Sequence, residues 1–247
     1  GYTSHAAILA RVLGIPAILG VTGALTDIEN GKTLILDGIS GIVLQEPDDD
    51  TKKEYFKKAE MFQLQRERLN VFRGKKSVTA SGNIKEIFAN IGSVEDAETA
   101  RAADAEGVGL FRTEFLYMDR TKAPDEEEQF EAYCKAAKAF SPDPVVIRTL
   151  DVGGDKDIPY LHMDREENPF MGFRAVRYCL ENRELFKTQL RALLRAGAEG
   201  SIRIMIPMVT CLAEIRGVKA LMAECCEELK AEGKRFDPDI KTGIMVE

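Results

Sequence analysis

Strand-like and helix-like segments alternate from about residue 78 to the end of the chain, and this alternation constrains the fold more than any other feature. The strand-like segments are short apolar runs at Ile84–Ile91, Gly107–Phe111, Val145–Leu150, Ile202–Val209 and Gly243–Glu247. Apolar residues recur at helical spacing in Val94–Ala105, Glu126–Phe140, Phe170–Ala198 and Ala213–Ala231. Repeated βα units of this kind predict an α/β fold with a parallel sheet, either doubly wound or closed as a barrel.

The number of predicted strands bears on the barrel interpretation. A (β/α)8 TIM barrel needs eight strands, whereas this sequence supplies about five. Such an incomplete barrel has two open edges and an unfilled interior, which is a poor design for a free-standing domain. The chain also begins without Met and ends inside an apolar run, although natural termini are usually polar. We therefore expect a fragment of a longer protein.

Two further sections precede these units. Residues 1–46 contain a short helical pattern and several β-type runs, too little to bury a good core alone. These runs are Pro16–Val21, Thr33–Leu36 and Gly41–Leu44. Residues 47–76 contain one long helix, which begins with aspartates and ends with arginines, as the helix dipole favours. We predict a partial domain over 1–46, a linker helix over 47–76 and a partial barrel over 77–247.

Composition narrows the function classes. The net charge of −7 comes with no basic stripe, which argues against nucleic-acid binding. No apolar run approaches the roughly 20 residues that cross a bilayer, and the N-terminus lacks the pattern of a signal peptide. The five cysteines are odd in number and show no CxxC spacing, so reduced thiols in a cytoplasmic protein are favoured over a disulfide framework.

His5 follows Thr3-Ser4 at the start of the first predicted helix. Unpaired backbone N–H groups and the positive end of the helix dipole would stabilise a phosphoryl group on this imidazole. The same field favours the neutral, nucleophilic form of histidine. A lone histidine after a helix cap is more often structural, so this position by itself leaves both interpretations open.

Two arginines end neighbouring predicted strands of the α/β section. Arg112 lies in Gly-Leu-Phe-Arg-Thr-Glu and Arg148 in Val-Ile-Arg-Thr-Leu-Asp. Sites are built at the carboxyl ends of parallel strands, and guanidinium groups bind carboxylate and phosphate. The pattern favours a site for a small substrate that bears both groups. Salt bridges to Glu114 and Asp151 are the structural alternative.

Glu247 ends the last predicted strand at the same edge of the sheet. Its carboxylate suits Mg²⁺, which uses one or two carboxylates together with substrate oxygens. Any glutamate at a strand end would give this signal, so the chemical indication is weak. Arg174 and Arg177 begin a predicted helix and suit either phosphate binding or pairing on the helix surface.

Several stretches of the chain carry family motifs. Thr-Ser-His-Ala-Ala-Ile-Leu-Ala-Arg and Gly-Ile-Pro-Ala-Ile-Leu-Gly, near the N-terminus, are similar to the phosphohistidine loop of phosphoenolpyruvate (PEP)-utilising enzymes. That loop is shared by Enzyme I of the bacterial sugar phosphotransferase system, pyruvate phosphate dikinase and PEP synthase. The stretches at 107–120, 126–130, 146–156, 167–177 and 243–247 resemble Enzyme I, a PEP-protein phosphotransferase, more closely. The resemblance covers essentially the whole chain in order.

This resemblance implies a fold and a mechanism. The fold is part of a swivelling phosphohistidine domain, a linker helix and an incomplete PEP-binding TIM barrel that forms a homodimer. Arg112 and Arg148 would hold PEP, and Glu247 would ligate Mg²⁺. His5 would accept the phosphoryl group on Nε2 and pass it to the histidine carrier protein HPr. The family's second Mg²⁺ carboxylate, a further arginine and its catalytic cysteine have no match here, so we expect the chain alone to be inactive.

Two other functions stay open at this point. A dikinase or synthase would use the same donor with a nucleotide or a pyruvate-derived acceptor. A non-catalytic phosphoacceptor or dimerisation module would retain only the fold. The joint presence of the four candidate site residues argues against such a module, because a scaffold needs none of them.

Overall fold

The computed structural model describes residues 10, 15–24, 26–153, 158–161, 163, 166–168 and 171–247. His5 and most of the helix predicted around it lie outside the described residues. The chain divides into two compact units, Gly1–Arg73 and Gly74–Glu247.

The first unit contains an antiparallel hairpin. Strand β1 (Leu34–Asp37) pairs with strand β2 (Ile42–Gln45). Asp37 closes the turn, because its carboxylate accepts hydrogen bonds from the backbone N–H groups of Ile39 and Ser40, both at 3.0 Å. These bonds lower the pKa of Asp37, which keeps the turn carboxylate ionised.

A long helix follows the hairpin in the same unit. Helix α1 (Asp49–Asn70) begins after Asp48, whose carboxylate accepts a hydrogen bond from the backbone N–H of Thr51 at 2.7 Å. This confirms a long helix in the predicted place. It has no buried residue, so it shows no strongly apolar face within this unit.

The second unit contains the predicted α/β section. A small hairpin comes first and consists of β3 (Ser77–Val78) and β4 (Ile84–Lys85). Five strands then form a parallel sheet, namely β5 (Ala89–Ile91), β6 (Val108–Arg112), β7 (Val145–Arg148), β8 (Ile202–Ile206) and β9 (Lys241–Ile244). The helices between them are α2 (Val94–Ala102), α3 (Glu126–Phe140), α4 (Ala175–Glu181), α5 (Arg183–Gly197) and α6 (Leu212–Ala231).

The spatial order of the strands follows the chain, β5-β6-β7-β8-β9, and each neighbouring pair is parallel. This order is what successive βα units produce when every crossover has the same hand. It confirms a mixed α/β chain with a parallel sheet and is consistent with part of a barrel.

Local sequence signals set the helix starts. Ser93 and Asp96 form a capping box at α2, and Asp125 and Glu128 form another at α3. In the second box, the Asp125 carboxylate accepts from Glu128 N at 2.9 Å and the Glu128 carboxylate accepts from Asp125 N at 3.0 Å. Both helices therefore begin where the sequence predicts.

The helices pack on one face of the sheet. Phe111, Ile147 and Ile204, on three adjacent strands, are buried in a single core with side chains of α3, α5 and α6. Phe111 meets Tyr133 edge to face, with ring centroids 6.1 Å apart. Truncation of a buried aromatic side chain such as Phe111 to alanine costs about 3–5 kcal/mol. The opposite face is more open, because Arg203 and the whole of β9 are exposed.

The prediction of one continuous strand over Ile84–Ile91 is wrong. Its first residues pair antiparallel in the small hairpin, whereas Ala89–Ile91 joins the parallel sheet. Between them, the backbone N–H of Ile87 donates to the Glu106 carboxylate at 2.7 Å. The apolar pattern continues through both short strands, so it does not indicate that the pairing partner changes between them.

Other elements also differ from the predictions. The helix predicted over Phe170–Ala198 is two helices, because Asn182 has a non-helical backbone (φ −96°, ψ 60°) between α4 and α5. The last strand ends at Ile244, so Glu247 lies beyond the strand rather than within it. The run Pro16–Val21 forms no strand. In the described part of the chain, no helix combines the length and the apolar character needed to cross a membrane.

Candidate functional site

Two arginines lie side by side where β6 and β7 end. Arg112 is the register partner of Arg148 across these two parallel strands, so both side chains leave the same face of the sheet. Arg112 is exposed, and within the described residues it has no ion-pair partner. Arg148 is 7% exposed and has two carboxylate partners. One guanidinium is thus available to a ligand and the other is fixed in place.

Two buried carboxylates hold Arg148. Its Nη2 donates to Glu114 Oε1 in a short contact, and its Nη1 lies 3.2 Å from Asp151 Oδ2. Glu114 comes from a 3₁₀ turn, Thr113–Leu116, that directly follows β6. The end of one strand therefore supplies a carboxylate for the arginine at the end of the next.

A third arginine, Arg174, belongs to the same buried cluster. Arg174 is 3% exposed and stands at the N-terminus of α4. Its Nε and Nη2 donate to Asp151 Oδ1 at 3.1 and 2.7 Å, so Asp151 bridges Arg148 and Arg174. Gly153 adopts φ 130°, and a Cβ there would lie 2.6 Å from Arg174 Cβ. A glycine is therefore required where the chain passes this side chain.

Glu247 lies at the same carboxyl edge, beyond β9. The backbone N–H of Met245 donates to Ile206 O at 2.8 Å, which keeps the chain beside β8 after the strand ends. Glu247 Oε1 accepts a hydrogen bond from Met208 N at 3.0 Å. Arg148 Nη1 is 3.6 Å from Met245 Sδ, so the residues before Glu247 contact the arginine cluster.

The loop beneath Glu247 is held in an unusual conformation. Met208 has φ 56°, in the left-handed region that non-glycine residues rarely adopt. Its carbonyl accepts from Arg177 Nη1 at 3.0 Å, while Arg177 Nε donates to Gly172 O at 2.7 Å. Met208 is therefore fastened through its N–H to Glu247 and through its carbonyl to Arg177.

Glu214 caps helix α6 in the same loop region. Burial opposes its ionisation, but hydrogen bonds from Thr210 N and Cys211 N, together with Arg177 nearby, lower the pKa of Glu214 overall. Oε2 accepts these two bonds at 2.6 and 3.1 Å. The carboxylate is therefore a structural anion that fixes the loop after β8.

The residues present fit a magnesium site in part. Glu247 offers one carboxylate with Oε1 oriented by Met208 N, and hard oxygen ligands are what Mg²⁺ prefers. Among the described residues, no group of three or more His, Cys, Asp or Glu side chains is arranged to hold a metal. Mg²⁺ is commonly held by one or two carboxylates together with substrate oxygens and water, so Glu247 fits such a site without a larger protein cluster.

The five cysteines are all free thiols. Cys179 lies closest to the arginine cluster, with Sγ 3.7 Å from Leu150 O. Burial raises the pKa of its thiol, and the charge of Asp151 adds to this. Cys179 is thus a protonated core residue and not a reactive thiolate.

Some of these residues were predicted from the sequence and others were not. Arg112, Arg148 and Glu247 come to one edge of the sheet, as expected, and Arg148 also makes both ion pairs of the structural alternative. Arg174 is neither on the helix surface nor open to solvent, because Asp151 binds it in the core. His5 and residues 154–157 of the last arginine motif lie outside the described residues.

Two family profiles match the chain. The profile described as "PEP-utilising enzyme, PEP-binding domain" matches residues 66–247, which include the whole arginine cluster. The profile described as "PEP-utilising enzyme, mobile domain" matches residues 1–41, which include His5.

Curated relatives match over the full length of the chain. The phosphoenolpyruvate-protein phosphotransferase of Staphylococcus carnosus is 48% identical over 247 residues. The proteins of the same name from Priestia megaterium and Bacillus subtilis are 46% and 45% identical over the same length. The chain spans 43% of the length of each of these relatives. With a family profile matched over most of its length, the chain belongs to the family of PEP-utilising enzymes.

Proposed function

We propose that this chain is part of a PEP-protein phosphotransferase, Enzyme I of the sugar phosphotransferase system. The observation that carries the proposal is the pair of arginines, Arg112 and Arg148, adjacent in register at the carboxyl edge of a parallel sheet. PEP is a small dianionic to trianionic molecule with a phosphate and a carboxylate, and each group suits a planar guanidinium fork.

The two arginines have different tasks in this proposal. Arg148 is held by Glu114 and Asp151, so its orientation is set before the substrate arrives. Its buried Nε has no hydrogen-bond partner among the described residues, so Arg148 retains an unused donor. Arg112 is exposed and closes on the ligand from the neighbouring strand. Preorganised positive charge of this kind is what phosphoryl transfer chiefly requires.

Magnesium is part of the same proposal. Glu247 would hold Mg²⁺ through a carboxylate that Met208 N orients. When bound, the ion neutralises charge on the transferred group. The arginines and Glu247 share one edge of the sheet, so Glu247 would hold the ion beside the substrate that the two guanidinium groups bind.

His5 is the proposed acceptor. It lies within the stretch that matches the mobile-domain profile. Its Nε2 attacks the phosphorus of PEP, the bond from phosphorus to the enol oxygen breaks, and pyruvate leaves after protonation of the enolate. The phosphoryl group then passes to a histidine of HPr.

We further propose that the linker over 47–76 lets the mobile domain travel. The barrel domain forms a homodimer in this proposal, and the protein acts in the cytoplasm.

Pyruvate release by the natural protein at its full length tests the acceptor. With PEP and Mg²⁺, we expect release to rise in proportion to added HPr and to be unaffected by AMP with pyrophosphate, the co-substrates with which a dikinase converts PEP to pyruvate. Turnover that requires the nucleotide instead would overturn the phosphotransferase assignment in favour of a dikinase. The variant His5→Ala serves as the control and should abolish release in either case.

A further inference from the structure

We infer that Gln189 is a positioning residue, which sets the geometry of both arginines from the helix layer behind the sheet. This inference rests on the proposed function, because it concerns the same PEP site. Gln189 lies in α5 and is 1% exposed. A buried glutamine needs partners for its whole amide, so its contacts reveal what it orders.

The amide of Gln189 contacts the ends of both arginine strands. Its Oε1 accepts from the backbone N–H of Leu150 at 2.9 Å, two residues after Arg148. Its Nε2 donates to Thr113 Oγ1 at 3.2 Å, one residue after Arg112. Thr113 Oγ1 in turn donates to the carbonyl of Arg148 at 2.8 Å. One side chain thus connects the two strand ends, directly after Arg112 and Arg148.

The backbone N–H of Leu150 needs this hydrogen bond because it lies beyond the regular ladder between β7 and β8. The regular ladder between β7 and β8 continues only to Thr149, whose N–H donates to Met205 O at 2.9 Å. The next N–H, that of Leu150, has left the ladder and bonds to Gln189 instead. Asp151 follows directly and binds both Arg148 and Arg174. A shift at Leu150 therefore moves the carboxylate that orients Arg148.

A second glutamine provides a matched control. Gln129 of α3 is also 1% exposed and belongs to the same hydrogen-bond network. Its Oε1 accepts from the hydroxyls of Tyr117 and Tyr133 at 3.1 and 3.0 Å, and its Nε2 donates to Pro124 O at 3.0 Å. Tyr133 is also its link to Gln189, which donates to that hydroxyl at 3.2 Å. Gln129 therefore resembles Gln189 in type, burial and network, yet among the described residues it makes no hydrogen bond to either strand end.

The test compares Gln189→Met with Gln129→Met in the natural protein at its full length. Both are made in a His5→Ala background, so that PEP binds without being consumed. Calorimetry gives the Kd for PEP with Mg²⁺ present, and thermal unfolding gives Tm. Each change leaves buried groups unpaired, so we expect both to lower Tm. Only Gln189→Met should weaken PEP binding, by about 10-fold or more, since displacement of a site by about 1 Å has effects up to 10²-fold.

Thr113 supplies a second pair of variants, in case Gln189→Met does not fold. Thr113→Ser keeps the hydroxyl that joins Gln189 to the Arg148 carbonyl, whereas Thr113→Val removes it with little change in shape. We expect Thr113→Val to bind PEP about 10-fold more weakly than Thr113→Ser.

The results distinguish failure of the inference about Gln189 from failure of the proposed function. If the His5→Ala parent binds PEP, but the Gln189→Met and Gln129→Met proteins have equal Kd values and the Thr113 pair does too, Gln189 is only structural and the inference is overturned. If the parent shows no affinity for PEP, the proposed function fails and the inference fails with it.

Discussion

At the scale of single residues, the fold treats the two arginines of the site differently. Arg112 is exposed and has no ion-pair partner within the described residues, whereas Arg148 is buried between Glu114 and Asp151. Burying an ion pair brings little net stability, because desolvation offsets the attraction. Removing one partner is costly, because the other charge stays buried. The same substitution at the two positions should therefore have unequal effects on folding.

We predict that Arg148→Met lowers the free energy of unfolding by about 3–5 kcal/mol, because Glu114 loses this partner in the core. Arg112→Met should change it by no more than about 0.5 kcal/mol, as is usual for an exposed side chain. Both variants should lose affinity for PEP. Urea unfolding and calorimetry measure the two quantities. Equal destabilisation by both substitutions would contradict the distinction drawn here.

The positions of Arg112, Arg148 and Glu247 were predictable because strands of a parallel sheet all end at one edge. Arg174 stands at a helix start as predicted, but its burial could not be predicted, since its partner Asp151 is 23 residues away and no local pattern links them. Gln189 was missed for the same reason. Its contacts with Leu150 and Thr113 span 39 and 76 residues, and a single glutamine in a helical pattern carries no signal of its role.

At the scale of elements, charged side chains join α3, α5 and α6 on the outside of the sheet. Arg191 of α5 contacts Glu126 at 2.6 Å, Glu228 at 3.2 Å and Glu232 at 2.7 Å. Arg195 adds a contact of 2.6 Å to Glu126. Hydrogen bonds from Arg191 and Lys234 lower the pKa of Glu232 to about 2. Burial opposes ionisation of the Glu126 carboxyl group, but the hydrogen bonds from Arg191 and Arg195 still lower its pKa.

These shifts predict how stability depends on pH. A carboxyl whose pKa is lower in the folded state contributes stability above its unfolded pKa, and this contribution is lost as pH falls towards the folded value. For Glu232 the window runs from about 4.5 down to about 2. We expect Glu232→Gln to flatten the fall of Tm across that window relative to the unchanged protein. Glu227→Gln, for which no ion pair is recorded among the described residues, is the control and should leave the slope as it was.

Element type was more predictable than element boundaries. Helix α3 begins and ends where its periodicity indicates, because a capping box marks its start. The division at Asn182 between α4 and α5 was missed, since the apolar spacing continues through it. The division within 84–91 was missed because a strand pattern records which residues are apolar and not which strand they pair with.

At the scale of the whole molecule, two family profiles match two separate parts of the chain. The mobile-domain profile covers His5, and the PEP-binding profile covers the arginine cluster. The parallel sheet buries Phe111, Ile147 and Ile204 under its helices and sends Arg112 and Arg148 to its carboxyl edge. Under the proposed function, this division would let a nucleophile and a substrate site that are far apart in the sequence serve one transfer reaction.

The central claim is that a phosphoryl group moves from PEP to His5. Intact-mass spectrometry of the natural protein at its full length, after incubation with PEP and Mg²⁺, tests it most directly. The account predicts the gain of one acid-labile phosphoryl group that is absent from His5→Ala and strongly reduced in Arg112→Met. A phosphoryl group that persists in His5→Ala, or no gain by the unchanged protein, would contradict it.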